Sequence, residues 1–233
     1  MRIQFHGHAC VAIDTGKHRL IIDPFLTGNP AAKAAPEQIQ ADYVLLTHGH
    51  GDHIADAADI AKRNDATILA IVELADYMER LGARAIGMNL GGGGTFDFGS
   101  IKWVNALHSS SVTVDGQAQY LGNPAGIVLQ MDGLTVYHAG DTALFSDMKL
   151  IGERYKPDIA FLPIGSFFTM DPEDALLAAQ WIKAKVVIPI HYNTFPPIEQ
   201  DGAAFVSQLK VIGIQGVELA PGQTLDTDEL ELG

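Results

Sequence analysis

The chain has 233 residues, 47% of them hydrophobic, and a formal net charge of −13 at pH 7. A surface that acidic repels phosphate backbones and no basic cluster with interleaved aromatics offsets it, so nucleic acid is not the expected partner. One cysteine, Cys10, within an apolar run excludes an intramolecular disulfide; with no apolar leader and no run near the ~18 residues of a membrane span, a cytoplasmic protein without a membrane span is expected.

Residues 2–5, 10–14 and 19–23 read as short strands, split by Thr15-Gly16 and closed by Asp23-Pro24. A fourth strand, 42–46, runs into Thr47-His48-Gly49-His50-Gly51-Asp52-His53. The spacing then predicts a helix over 54–63, a strand over 67–72 and a helix over 73–81 closed by Gly82. Strand alternates with helix, the pattern of α/β layering.

Gly91 to Gly94 lack dinucleotide-fingerprint spacing and no helix pattern follows, so they read as a turn before a strand at 95–98. Another strand, 101–107, ends at His108, and the polar stretch 109–119 reads as a loop. Residues 125–131 and 134–138 form a predicted hairpin joined at Asp132-Gly133. A helix over 146–155 and a strand over 158–163 follow. Asp171 as N-cap and Pro172 at the first position open a helix running to 183. A strand at 185–190 ends in His191, and a helix over 202–212 precedes two short strands. No linker or low-complexity block divides the chain, so one domain over 1–233 is expected. Its halves share a coarse logic, several strands and then strand-helix alternation, which suggests an internal pseudo-duplication.

The chemistry gathers at the ends of predicted strands, where α/β folds assemble ligand sites. His48, His108, Asp141 and His191 each follow a different strand. Neutral imidazole and carboxylate suit zinc, iron, manganese or nickel. His48 and His50 alternate, so an extended segment aims both the same way. Asp52 and His53 lie at the turn into a helix, which can redirect them to a second position. Gly49 and Gly51 would let that backbone fold tightly without Cβ clashes. One ion would need His48, His50 and a third histidine. A second would need Asp52, His53 and another, with a carboxylate such as Asp141 between them.

The run His48-Gly49-His50-Gly51-Asp52-His53 resembles the His-x-His-x-Asp-His signature of the metallo-β-lactamase superfamily. His108, Ala139-Gly140-Asp141-Thr142 and Pro189-Ile190-His191 are similar to its later motifs, in order. More narrowly, Phe5-His6-Gly7-His8-Ala9-Cys10, Ile22-Asp23-Pro24-Phe25 and His191-Tyr192-Asn193-Thr194-Phe195-Pro196 resemble a group of small bacterial and archaeal metal-dependent hydrolases, related to ascorbate-6-phosphate lactonase. The resemblance implies a four-layer αββα sandwich of two mixed sheets with helices outside. It implies two divalent ions, zinc first, with manganese, iron or nickel also admitted. The first ion would take His48, His50 and His108, and the second Asp52, His53 and His191, with Asp141 bridging. Asp52 would also orient and deprotonate the attacking water, and the substrate would be a small molecule carrying an ester, lactone, amide or phosphodiester. The chain departs from the pattern at Ser166-Phe167, where a polar Asp-Asn-type pair is expected.

Neighbouring residues carry weaker expectations. Asp23 is either a turn residue or the partner of a ligand histidine. His6 and His8 are expected near the metals or substrate without being ligands. His138 is either behind a ligand or a buried hydrogen-bonder. Asn193 and Thr194 either touch a substrate oxygen or hold their loop, while Phe167, Phe168 and Phe195 are core residues or an apolar wall. A homo-oligomer is compatible with the sequence. Two other functions compete with hydrolysis. Redox chemistry on this fold is disfavoured because its di-iron members carry Glu where this chain has His50. A non-catalytic metal-binding module is disfavoured by the complete ligand set.

Overall fold

A computed structural model describes residues 1–230 and 232. Two mixed seven-stranded sheets face each other. The first comprises β1 (Arg2–Gly7), β2 (Cys10–Asp14), β3 (Arg19–Ile22), β4 (Tyr43–Leu45), β5 (Thr67–Ile71), β6 (Arg84–Met88) and, at its edge beside β1, β16 (Thr224–Asp226). The second has β7 (Gly93–Phe96), β8 (Gly99–Asn105), β11 (Ala125–Met131), β12 (Leu134–His138), β13 (Ile159–Pro163), β14 (Val186–Ile190) and β15 (Gln215–Gly216). A separate hairpin, β9 (Ser111–Val114) and β10 (Gln117–Tyr120), lies between β8 and β11 in the chain. The helices are α1 (Gly51–Ile54), α2 (Ala57–Asn64), α3 (Val72–Arg80), α4 (Met148–Tyr155), α5 (Pro172–Ile182) and α6 (Gly202–Val211).

Period-2 alternation builds the layers. Leu20, Ile22, Leu69 and Ile71 point inward to meet Ile127, Leu129, Ile159 and Phe161 of the other sheet. Ile21, Val44 and Ile68 point outward onto Ile60, Leu74 and Met78 of α2 and α3. Val128, Ala160 and Val187 do the same against Met148, Ala178 and Phe205 of α4, α5 and α6. The result is the expected order helix, sheet, sheet, helix. The same pairing order recurs in both sheets: β1, β2 and β3 are antiparallel and β3 to β6 parallel, while β8, β11 and β12 are antiparallel and β12 to β15 parallel.

Five local expectations change. The strand expected over 95–98 is β7, so Gly93 and Gly94 belong to the strand and not to the turn before it. The helix expected over 54–63 is broken, because Asp56 accepts from Leu26 N at 2.7 Å and Thr27 N at 2.9 Å instead of continuing the turn. The stretch 109–119 is a hairpin rather than a loop. Asp115 and Gly116 take left-handed φ of 51° and 77°, the geometry a two-residue hairpin turn requires. β6 was not expected, since Arg84-Ala85-Ile86-Gly87-Met88 lacks a clear apolar alternation. The strand expected over 101–107 begins and ends two residues earlier, so Ala106 and Leu107 belong to the loop that delivers His108. Among the described residues no helix is long and apolar enough to cross a membrane.

Candidate metal centre

β4, β8, β12 and β14 end on one edge of the sandwich, and the loops beyond them bring every expected ligand together. His48 lies just beyond β4, and His50 is extended, with φ −77° and ψ 149°, as it caps α1. Their ring nitrogens, His48 Nε2 and His50 Nδ1, lie 3.0 Å apart. Asp52 and His53 then sit on α1 itself. The tight backbone depends on only one glycine: a Cβ on Gly49 would fall 2.6 Å from the Leu121 side chain, whereas one on Gly51 would meet nothing within 4 Å.

Three groups have their candidate ligand atoms within 4.8 Å of one another, two of them separate and the third, Asp23, His48 and His53, overlapping both. His48, His50, His108 and Asp141 form the open group, in which His50 and His108 are half-buried. The deep group is Asp52, His53 and His191, joined by His8. Asp141 stands between them. Its Oδ2 lies 3.8 Å from His48 Nε2 and 3.5 Å from His108 Nε2 in the open group, and 3.3 Å from His53 Nε2 and 3.0 Å from His191 Nε2 in the deep one.

The residues fit a metal. Buried polar atoms are nearly always paired, yet His53 Nε2 and Asp141 Oδ1 are buried here without a hydrogen-bond partner. Protonation states agree. Burial, followed by the charge of His53, holds His48 well below its ordinary pKa, and burial lowers His50 and His108 too. Burial opposes the charge on Asp141, but the His191 and His53 imidazoles outweigh it and hold the carboxyl well below its usual range. Ionised carboxylate and neutral imidazole are the forms that bind metal. His53 differs: burial opposes its charge, but Asp141 and Asp23 prevail and hold the imidazole well above its ordinary value. A proton there occupies the place of a cation.

Behind the ligands lies a polar scaffold. Asp23 is fully buried and accepts from Thr47 N at 2.8 Å, Thr47 Oγ1 at 2.6 Å and His53 Nδ1 at 2.8 Å. Since Thr47 Oγ1 donates to Asp23, it accepts from His48 Nδ1, 3.0 Å away. One carboxylate thereby directs the Nε2 lone pairs of both His48 and His53 into the site. Of its two expected roles, Asp23 takes that of hydrogen-bond partner to His53, a candidate ligand. His138 is the buried hydrogen-bonder: Nε2 donates to Ala9 O at 3.0 Å and Nδ1 accepts from Gly140 N at 3.1 Å, holding the turn before Asp141. Asn193 holds its loop, accepting from Gln200 N at 2.8 Å.

His6 and His8 part company. His6 falls in neither group and lines a cavity of about 380 Å³ with Arg2 and Gln4 on the other face of β1. His8 reaches the centre, with Nε2 3.1 Å from Asp52 Oδ2 and Nδ1 3.1 Å from Thr194 Oγ1. Burial pushes its pKa down to about 4. Phe195 packs edge-on to His8 with centroids 5.4 Å apart, while Phe167 and Phe168 are 71% and 50% exposed. Sequence reasoning missed Ser109, whose Oγ lies 3.1 Å from His50 Nε2, and Ser110, whose Oγ accepts from Gly49 N at 3.0 Å. A serine pair beside His108 carried no signal of its own.

This sandwich, with its donors at one edge, is the architecture of the metallo-β-lactamases. The beta-lactamase superfamily domain matches residues 2–191, and the chain belongs to that superfamily. Within it the chain groups with the UPF0173 metal-dependent hydrolases. It is 54% identical over 227 residues to one from Geobacillus thermodenitrificans (strain NG80-2), covering 97% of this chain and 100% of the relative. With the Bacillus subtilis (strain 168) member it shares 50% identity over 228 residues, covering 97% and 100%. Among solved structures, Igni18, a metallo hydrolase from the archaeon Ignicoccus hospitalis KIN4/I, superposes with a TM-score of 0.88 at 38% identity, covering 96% and 97% of the two chains.

Proposed function

We propose that this chain is a dinuclear metal-dependent hydrolase acting on an ester, lactone, amide or phosphodiester of a small molecule. One observation carries the reading: a single buried oxygen, Asp141 Oδ2, stands within 3.8 Å of imidazoles from both donor groups. A carboxylate so placed could serve two ions at once. In this reading His48, His50 and His108 hold one ion, Asp52, His53 and His191 hold the other, and Asp141 serves both. Zinc suits the donor set first, with manganese, iron and nickel admitted by the same chemistry. When bound, two such ions lower the pKa of water to roughly 7 and polarise the bond to be cut.

The protein's part is positioning and proton handling. Asp23 keeps His48 and His53 in the tautomers that present Nε2. Asp52, with its side chain 32% exposed, stands at the boundary between the buried donors and solvent. Burial would raise its pKa, but the His8 hydrogen bond and the His53 charge bring it below the ordinary carboxylate value. It therefore stays ionised, the form that can ligate an ion and orient an attacking water by accepting its hydrogen bond. Phe167 and Phe168 offer an apolar surface to the non-reacting part of a substrate. Their loop adjoins the centre, because Met170 N donates to Thr142 O at 3.1 Å and a Cβ on Gly165 would meet His191 O. The core shared between the sheets supports one domain over 1–233.

Elemental analysis of the purified protein, followed by ester, lactone, amide and phosphodiester panels with the metal found, tests the reading. Two ions per chain are expected, with hydrolysis lost on chelation and restored by metal. A protein holding two ions yet inert on all four panels would overturn it. So would bound iron with oxygen consumption.

A further inference from the structure

We propose that His8 is the positioning residue that builds the deep half of the centre, by fixing the Asp52 carboxylate as a hydrogen-bond donor rather than by binding metal itself. This rests on the two-ion reading above and adds a residue outside its ligand set.

The tautomer follows from the partners. An ionised carboxylate only accepts, so His8 Nε2 carries the proton and donates to Asp52 Oδ2 across 3.1 Å. His8 Nδ1 then carries the lone pair and takes the Thr194 hydroxyl proton across 3.1 Å, a shorter approach than the 3.4 Å to the competing acceptor Tyr192 O. Thr194 lies on the loop that follows His191, and Asp52 lies on α1. One ring therefore ties together the two segments that bring ligands to the deep group. The donated bond commits Oδ2 and stops the carboxylate rotating. A donor–acceptor pair of this kind is charge-assisted and strong.

The surroundings hold the ring in place. His8 is 1% exposed, with the Phe25 and Phe195 rings edge-on at 5.4 Å and the His191 ring 4.0 Å away. Its backbone is committed as well: His8 O accepts from His191 N at 2.7 Å. Both residues are left-handed, at φ 58° and 56°. Such non-glycine conformations are sparsely populated and persist where the surroundings over-determine them. The sequence places them at two histidines bonded to each other, one an expected ligand and the other holding a ligand.

The test is a cobalt(II) titration of the metal-stripped protein, read by d–d absorption, with circular dichroism as the fold check. His8→Asn tolerates the left-handed backbone, but its amide is too short to reach Asp52. It is expected to weaken the second cobalt ion by roughly 10–100-fold, the range for groups that orient ligands, and to leave the first ion unchanged. His8→Gln carries a donor that reaches Asp52 and is expected to recover most of that loss. Thr194→Val leaves position 8 untouched, frees the His8 tautomer and is expected to give a smaller loss of the same ion. Wild-type affinity for both ions in His8→Asn would overturn the proposal while sparing the two-ion reading. A loss in His8→Asn that His8→Gln does not repair would overturn the donor role in favour of direct ligation. If the wild-type chain takes up fewer than two ions, the two-ion reading falls, and this one with it.

Discussion

The two donor groups are made of the same side chains but are supported differently. In the deep group His53 is backed by the buried carboxylate of Asp23 at 2.8 Å, Asp52 by His8 at 3.1 Å, and the His191 backbone by His8 O at 2.7 Å. In the open group His50 and His108 are half-buried, and His50 leans on the hydroxyl of Ser109 at 3.1 Å. His48 shares the deep scaffold through Thr47. The deep group is supported by a buried carboxylate at His53 and a charge-assisted bond at Asp52, whose own side chain stays 32% exposed, and the open group by a neutral hydroxyl at His50. Low dielectric strengthens the first of these: a carboxylate orients an imidazole far more strongly in the interior than at the surface. On the two-ion reading, the deep half would hold its ion more firmly and the open half would stay more accessible.

Asp141 belongs to both halves, so its loss should erase the contrast. Asp141→Asn removes the charge but keeps the shape. Both ions are expected to weaken, by more than the roughly 100-fold that marks the upper end for groups merely orienting ligands. Any hydrolytic activity should fall below detection. Isothermal titration and elemental analysis after dialysis check this. Retention of either ion at wild-type affinity would show that Asp141 is not shared.

Asp23→Asn should sharpen the contrast instead. The amide retains one acceptor oxygen for three donors, so His53 and the Thr47–His48 pair can no longer all be satisfied. Roughly 10–100-fold weaker binding is expected at the deep group, with a smaller effect at the open group, where only His48 depends on Asp23. The fold itself should lose stability too, read as a lower Tm, because a buried network would be left partly unpaired. Equal weakening at both groups would show that the two halves are not separately supported.

Much of this was legible in the sequence, for local reasons. The ligand run from His48 to His53 is contiguous, and His108, Asp141 and His191 each mark the end of an apolar strand. Asp132-Gly133 and Asp171-Pro172 signal a hairpin and a helix start through rules spanning a few residues, and both features stand where expected. What was hidden depends on distant partners. His8 finds Asp52 across 44 positions and Thr194 across 186, and no pattern near position 8 reveals either. The break at Asp56 follows from its bonds to Leu26 and Thr27, 30 and 29 positions earlier. The hairpin at Ser111–Tyr120 carried the right turn residues and Ser111-Val112-Thr113-Val114 alternates, but each strand is only four residues long and neither buries a full face, so the pattern was too short to stand out.

The contrast also has a titration signature, smaller than either substitution effect. His48, His50 and His108 lie below their ordinary pKa, so the open group is already neutral at pH 7 and binds its ion without displacing a proton from them. His53 lies well above its ordinary value because of Asp141 and Asp23, so at pH 7 without metal it is protonated. An ion entering the deep group must expel that proton. The sign follows: deep-site affinity rises with pH, by up to about tenfold per unit for one proton, and levels off once pH passes the His53 pKa. Open-site affinity stays flat over the same range and falls only in acid. Calorimetric titrations in buffers of different ionisation enthalpy measure the count directly. About one proton should leave with one ion and about none from these imidazoles with the other, while equal release for both would mean that the buried carboxylates do not distinguish the two halves.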